Sequence, residues 1–348
     1  MKQYGVPNKF INLVKMFYTD VRCSVVNGGG LSDWFSVKSG VKQGCVMSGF
    51  LFLMIIDWIM TQAVQENNTG IKWTLMQQLE DLDYADDIAL LASEWNHLQK
   101  KLQRIKLYGE QAGLKINVGK TKSMCIDPTN NRPFQIGETE IEEVLKFIYL
   151  GGLVTKDGGA GEDIRRRIGQ AYAAYFKLQK VWKSSKIFTK TKIRIFKSNV
   201  VSVLLYGCES WRMTRGDEQK LDVFLHTSLR RILKISWEQH TSNDEVRRSA
   251  GVTETLSRTV QRRRWTFIGH ILRRDNRNLA KNALTWTPEG KRKRGRPKET
   301  YRRTVERERQ QMGFNSWSAA AAVARDRGKW KDIIASSMIH QSTYSYII

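Results

Sequence analysis

The stretch LEDLDYADDIALL, Leu79 to Leu91, decides how the chain is read. Two adjacent carboxylates, Asp86 and Asp87, stand between apolar runs: Leu79 and Leu82 before them, Ile88, Leu90 and Leu91 after. Apolar residues on either side of a short acidic tip predict two short strands whose flanks bury while a turn holds the tip out. Side-by-side anions repel, and a divalent cation relieves the repulsion. Phosphoryl transfer at a two-metal site needs such carboxylates, holding ions about 3.5–4 Å apart to stabilise the attacking and leaving oxygens. Read alone, Tyr84-Ala85-Asp86-Asp87 fits a plain acidic turn better than a metal site, since aspartate favours turns and so short a motif recurs by chance.

The surroundings add chemistry. Upstream, Gly40-Val41-Lys42-Gln43-Gly44-Cys45-Val46-Met47-Ser48 puts glycines at both ends of a turn, where backbone can approach a ligand closely. Lys42, Gln43 and Ser48 offer a charge and hydrogen-bonding groups there. A strongly apolar helix is predicted next, over Phe50–Met60. Further upstream the pattern predicts a helix from Lys9 to Tyr18 and strands Cys23–Val26 and Trp34–Val37, joined through Gly28-Gly29-Gly30. Downstream of the acidic tip, Leu98, Leu102, Ile105 and Ala112 recur at helical spacing, closed by Gly113. The loop after it, Gly113 to Lys122, carries Lys115, Lys120 and Lys122. Strand-like pieces continue at Met124–Ile126 and Phe147–Leu150. Beyond Gly151-Gly152 only helical stripes appear: Ile164, Ile168, Ala171, Tyr175 and Leu178; Ile193, Phe196, Val200 and Val203; Leu221, Phe224, Leu229 and Ile232. A boundary near residue 155 therefore separates α+β from all-α sequence.

Fifty-eight Lys+Arg against 34 Asp+Glu give a net charge of +24 in 348 residues. Such an excess points to a polyanion, nucleic acid first and an anionic membrane second. Residues 261–310 hold 17 Lys+Arg and 5 Asp+Glu, 17 − 5 = +12, half of the whole excess. The centre of that run is KRKRGRPK, Lys291 to Lys298, which Gly295 and Pro297 keep from being a helix. Cys23, Cys45, Cys125 and Cys208 form no CxxC pair and have no nearby histidine, which excludes a zinc finger or a disulfide framework and fits a reducing compartment, nucleus or cytoplasm. No apolar run reaches the roughly 18 residues of a membrane span, and Asp57 interrupts the longest.

In this order and spacing the segments resemble the palm of a reverse transcriptase. GVKQGCVMS is similar to the family's motif B, YADD to its metal-binding motif C, GLKINVGKTK to its motif D, and FIYLGG (Phe147 to Gly152) to the segment that grips the primer. Farther on, Trp265, Gly269-His270-Ile271-Leu272-Arg273, Gly295–Lys298 and an AxARDRxxW pattern ending at Trp330 resemble the tail of non-LTR retrotransposon polyproteins. The resemblance implies an α+β fold: a partial palm over 1–155, an all-α thumb or connector over 156–260 and a basic nucleic-acid-binding region over 261–348. It implies Asp86 and Asp87 as catalytic metal ligands for two Mg²⁺ or Mn²⁺ ions, and Lys120 as an aid to pyrophosphate departure. Gln43, Gly44, Ser48 and Tyr84 would shape the template and nucleotide pocket, and Tyr149, Leu150, Gly151 and Gly152 the primer grip. The partners implied are an RNA template, a DNA primer or target, and dNTPs, with no membrane and no small-molecule cofactor. Lys291, Arg292, Lys293, Arg294, Arg296 and Lys298 read either as a nuclear-import signal or as phosphate contacts, and an A·T-rich minor groove would also suit them. His270 lacks a second ligand at metal spacing and reads as a packing or hydrogen-bonding residue.

The family's motif A, with the first metal-bridging aspartate, belongs upstream of Tyr4-Gly5-Val6-Pro7, and Asp20 and Asp33 lie after that segment. Position 49 is glycine where the family has proline. The expectation is thus a C-terminal fragment of a polymerase, inactive by itself, with a non-catalytic nucleic-acid-binding protein as the alternative. A group II intron maturase shares the palm but not the tail.

Overall fold

The computed structural model describes residues 1–37, 40–64, 69–73, 78–126, 132–275, 278–287 and 299–340, the side chains of 338–340 excepted. The basic run of Lys291, Arg292, Lys293, Arg294, Arg296 and Lys298 lies outside the described residues. The chain divides into two units, Met1–Val144 and Leu145–Ile348.

The first unit mixes helices with short ladders. Helix α1 spans Asn8–Tyr18. Strands β1 (Arg22–Cys23) and β4 (Phe35–Ser36) pair, as do β2 (Val26–Asn27) and β3 (Gly30–Leu31). Gly28 and Gly29, at φ 57° and 88°, make the tip, a backbone shape that two residues without a Cβ adopt at no steric cost. The predicted hairpin is therefore present but broken in two, because the Ser32 hydroxyl and amide, rather than a continuous ladder, meet Val25.

Helix α2 runs Val46–Ala63, longer than the Phe50–Met60 predicted. Only part of it is buried: Ile56, Ile59, Met60 and Ala63 enter the core, while Phe50 and Leu53 stay exposed and Val46 is 97% exposed. Within this unit α2 packs chiefly on α3 (Trp95–Gln111), which covers one face and leaves the rest open. By length and composition α2 is also the one helix among the described residues that could cross a membrane, despite Asp57 within it.

Four strands lie between the two helices: β5 (Ile71–Lys72) with β6 (Gln78–Leu79), and β7 (Asp81–Tyr84) with β8 (Asp87–Leu90). Ile88 and Leu90 of β8 join Ile56, Ile59, Met60 and Ala63 of α2 and Ile105 of α3 in one cluster. Gly113 ends α3 at φ 79°, with the Leu114 amide donating back to the Gly109 carbonyl at 2.8 Å. Next come β9 (Lys122–Ser123), the hairpin β10 (Gln135–Ile136) and β11 (Thr139–Glu140), and β12 (Glu142–Glu143), which pairs with β9 in parallel. The strand predicted at Met124–Ile126 thus forms earlier in the chain. Among the described residues every ladder is two-stranded, so the antiparallel pieces do not merge into one sheet.

The second unit opens on the hairpin β13 (Lys146–Tyr149) and β14 (Gly152–Thr155) and is otherwise helical. Its helices are α4 (Gly161–Lys177), α5 (Gln179–Lys183), α6 (Thr189–Ile195), α7 (Ser202–Leu204), α8 (Arg215–Leu233), α9 (Asn243–Ser249), α10 (Leu256–Leu272), α11 (Leu279–Ala283), α12 (Tyr301–Gln311), α13 (Trp317–Ala324) and α14 (Arg327–His340). A π-helical segment, Phe196–Val201, joins α6 to α7. The predicted stripes face inward: Ile164, Ala171, Tyr175, Phe196, Val200, Leu221, Phe224 and Leu229 are all buried in one core. Reciprocal capping boxes start α8 (Thr214 with Asp217) and α9 (Ser242 with Glu245), satisfying amide groups that a helix start leaves unpaired.

A second core gathers Trp265, Ile268, Val305, Phe314, Ala320, Ala324 and Trp330. At its edge the fully buried Arg264 is ion-paired with Glu308 and donates to the Trp211 carbonyl at 2.7 Å. Glu308 also accepts from the Trp265 indole at 2.8 Å. The Trp330 indole donates to the Trp265 carbonyl at 3.0 Å and lies directly over Gly269. Two motifs far apart in sequence, GHILR and AxARDRxxW, are the two sides of this contact.

Candidate active-site hairpin

The β7–β8 register pairs Tyr84 with Asp87, Asp83 with Ile88, Leu82 with Ala89 and Asp81 with Leu90. Ala85 and Asp86 are left as a two-residue turn. Ala85 has φ 57°, the one positive value of the two, as in a type II′ turn, whose first central position glycine normally fills. Alanine there is held in a costly backbone shape, and such strain concentrates where a turn has a task. The turn puts Asp86 at the tip and Asp87 beside it at the head of β8, both exposed.

Alternation along the strands sorts the remaining side chains. Tyr84, Leu82 and Asp87 share one face; Asp83, Asp81, Ile88 and Leu90 share the other, which meets the core under α2. Asp81 and Asp83 are thus carboxylates on an apolar face. Partial burial pushes both carboxyls up, and for Asp83 the charge of Asp81, a hydrogen bond with it and the charge of Asp57 on α2 take it to about 7. Near neutral pH the pair holds on to a proton that ordinary aspartates have lost.

The base of the hairpin is fixed by a residue that the sequence pattern passed over. Lys101 sits on the inner face of α3, 3% exposed. Its ammonium donates to the Leu91 carbonyl at 2.6 Å, the Glu80 carbonyl at 3.3 Å and the Glu80 carboxylate at 2.5 Å. One cation thereby ties down the residue before β7 and the residue after β8. Burial alone would push the Glu80 carboxyl up, but the bonds from Lys101 and Thr69 outweigh it and hold it below the usual carboxylate range. The available signal was a lysine inside the Leu98, Leu102, Ile105 stripe.

The other predicted residues fall as follows. Gly40 and Gly44 take φ 90° and 80°, so the segment before α2 is the turn that the glycines predicted. Gln43 and Gly44 are exposed. Ser48 is buried in the first turn of α2, where its hydroxyl donates to the Lys42 carbonyl at 2.6 Å and lies 3.1 Å from the Tyr18 hydroxyl. It braces the turn. Lys120 is exposed, with its amide on the Asn117 side chain at 3.1 Å.

Tyr149, Leu150, Gly151 and Gly152 lie in the second unit and form the β13–β14 turn, with Leu150 and Gly151 at φ 48° and 79°. Two guanidiniums, Arg166 and Arg167 of α4, both donate to the Gly151 carbonyl at 2.5 Å. Asp163 receives Arg166 at 2.7 Å, the Leu153 amide at 3.1 Å and the Trp211 indole at 2.9 Å. Arg167 stacks over the Tyr206 ring at 4.8 Å. His270 is exposed and accepts from Arg274 at 3.0 Å, a hydrogen-bonding role as read from sequence.

For metal, the residues at the tip supply two adjacent carboxylates. Among the described residues no group of three or more His, Cys, Asp or Glu could hold an ion. Magnesium takes one or two carboxylates and completes its octahedron with water and substrate phosphates, so the tip fits one such ion in the presence of a nucleotide.

A family model described as reverse transcriptase (RNA-dependent DNA polymerase) matches residues 1–154, and a domain of unknown function matches residues 174–206. A putative transposon-derived protein of Caenorhabditis elegans is 29% identical over 273 residues, 74% of this chain and 96% of that one. A Pol polyprotein from the type-1 retrotransposable element R2 of Popillia japonica is 23% identical over 246 residues, 68% of this chain but 39% of the polyprotein. The corresponding R2DM polyprotein of Drosophila melanogaster is 26% identical over 195 residues, 51% of this chain and 18% of the polyprotein. The chain therefore spans well under half the length of these polyproteins.

Proposed function

The chain belongs, through residues 1–154, to the reverse transcriptases of non-LTR retrotransposons, and from that premise we propose that its first unit is a polymerase palm copying retrotransposon RNA into DNA. The observation that carries the proposal is the strained two-residue turn that presents Asp86 and Asp87 together. Those carboxylates would hold Mg²⁺ or Mn²⁺. The ion, when bound, neutralises charge on the phosphates and stabilises the attacking and leaving oxygens. The chain's own part is positional: Ala85 sets the turn, and Lys101 fixes the hairpin against α3. The Gly40–Gly44 turn, Gln43 and Tyr84 border the template and nucleotide, Lys120 assists departure of pyrophosphate, and the Tyr149–Gly152 turn grips the primer as part of a helical thumb. Nucleus or cytoplasm, where thiols stay reduced, suits the four free cysteines.

Two ions about 3.5–4 Å apart need carboxylates from two separate strands, and the sequence offers one such strand. The 348-residue chain by itself is accordingly proposed to extend a primer no better than its Asp86→Asn variant. A version carrying additional palm sequence ahead of Met1 should extend an RNA-templated primer with Mg²⁺ or Mn²⁺ and lose that ability on Asp86→Asn. Extension by the extended version that survives Asp86→Asn would remove the hairpin from the chemistry. The second reading, a nucleic-acid-binding protein that keeps the palm as a scaffold, draws on the net charge of +24. It predicts oligonucleotide binding without extension in every version.

A further inference from the structure

One face of α10 borders an open groove of about 560 Å³, with the Gly207–Ser210 segment as its other wall. Arg262, Arg263, Thr266, Phe267 and His270 line it from the helix. The opposite face of α10 is sealed by Trp265, Ile268, Ile271 and Leu272, all buried, so the groove face is the one side of this helix segment open to a ligand. Its chemistry is uneven for a solvated face. Phe267 is 46% exposed in the midst of cations, where a bare aromatic ring gains nothing from water. His270 stands one helical turn on, its ring nitrogen 3.0 Å from the Arg274 guanidinium and its ring exposed. Arg262 is steadied by Glu254 at 3.1 Å and Arg263 by the Leu205 carbonyl at 3.1 Å. Each guanidinium carries five N–H donors, and these bonds, with the Cys208 thiol also on Arg263, leave donors over for an anion. Glu209 is the one carboxylate among the lining residues, against two arginines.

We propose that this groove binds a single-stranded segment of nucleic acid, with bases stacked on Phe267 and His270 and the phosphodiester backbone on Arg262 and Arg263. Aromatic platforms beside arginines, spaced about a turn apart, are how strands are held without regard to sequence. A duplex hides its base faces and cannot use Phe267. The site rests on the nucleic-acid reading of the chain, and none of its lining residues belongs to the palm hairpin or to the basic run 291–298.

The test uses the full 348-residue chain with fluorescent dT12 and U12 oligonucleotides, each carrying one 5-iodouracil for photo-crosslinking. Crosslinks mapped by mass spectrometry should fall on Phe267 or His270. Phe267→Ala should weaken both oligonucleotides roughly tenfold or more, leaving the salt dependence of binding unchanged. Arg262→Gln should lower the log K against log[salt] slope by about 0.7, the share of one phosphate on a single strand. Phe267 is a surface residue, so an unaltered melting curve checks that the variant still folds. Wild-type affinity in both variants, with crosslinks elsewhere, would overturn the groove while leaving nucleic-acid binding intact. Equal competition by a blunt duplex would overturn the single-strand assignment. Failure to bind any oligonucleotide would instead remove the nucleic-acid reading itself.

Discussion

Gly269→Ala separates helix propensity from tertiary contact. Gly269 lies in the interior of α10, where alanine is the better helix former by about 1 kcal/mol, so propensity alone forecasts a gain in stability. The contact forecasts the opposite. A Cβ at this position would stand 2.0 Å from the Trp330 indole nitrogen, 2.6 Å from Cε2 and 2.7 Å from Cδ1. Non-bonded atoms need about 3.5–4.0 Å, and the ring is not free to step aside. It donates to the Trp265 carbonyl at 3.0 Å and is stacked on Phe314, centroids 5.5 Å apart. Overpacking costs about 1–3 kcal/mol, and complete loss of a buried tryptophan about 3–5 kcal/mol. Set against the gain in propensity, the net is a loss of roughly 0–2 kcal/mol if the ring only shifts and about 2–4 kcal/mol if it is expelled. Urea unfolding of the second unit, followed by near-UV circular dichroism of its tryptophan cluster, gives the value. The same substitution in a Trp330→Ala background should stabilise, because the steric partner is gone and only propensity remains. Stabilisation in both backgrounds would refute the packing of α14 on α10.

Three further outcomes concern charged groups that the packing holds. Glu308→Gln leaves the Arg264 guanidinium without its counter-charge and should cost the second unit about 3–5 kcal/mol, read by chemical denaturation. Lys101→Met removes the clamp on Glu80 and on the Leu91 carbonyl; a loss of about 3–5 kcal/mol in the first unit is expected, and a loss under about 1 kcal/mol would mean that the hairpin is held by other means. Asp83 is raised to about 7 in the folded chain, so folding favours its protonated form. Its contribution is fully present below the unfolded value near 3.9 and is lost as pH rises toward 7. The melting temperature of the first unit should fall across that window, and Asp83→Asn should flatten the fall.

The helical half of the fold was legible because its signal is periodic and long. Ile164, Ile168, Ala171 and Tyr175 recur every three or four residues, as a stripe turned to one face of a helix does. The acidic hairpin was legible from the contrast between two aspartates and their apolar flanks. What the sequence did not disclose depends on long-range partners. Lys101 lies three residues from Leu98 and looks like a flaw in an apolar stripe until the Leu91 carbonyl arrives from another element. Nothing in the sequence around Arg166 and Arg167 of α4 announces the Gly151 carbonyl to which both donate. The half-exposed state of α2 was hidden for the same reason, since composition measures how apolar a helix is but not how many neighbours reach it.

The uneven burial of the two units also sets how the chain opens. Clusters of four and five buried residues hold the first unit, each small beside the single core that binds α4 to α10. Local opening costs least where few apolar contacts close over the backbone hydrogen bonds. Amide deuterium should therefore enter β1 to β4 within the shortest labelling times and reach α8 last. Proteases should nick the chain ahead of Leu145, releasing the helical unit whole. The Asp86–Asp87 turn then sits in the softer half of the molecule; under the palm reading proposed above, a bound template would have to firm it up before it could hold two phosphates still.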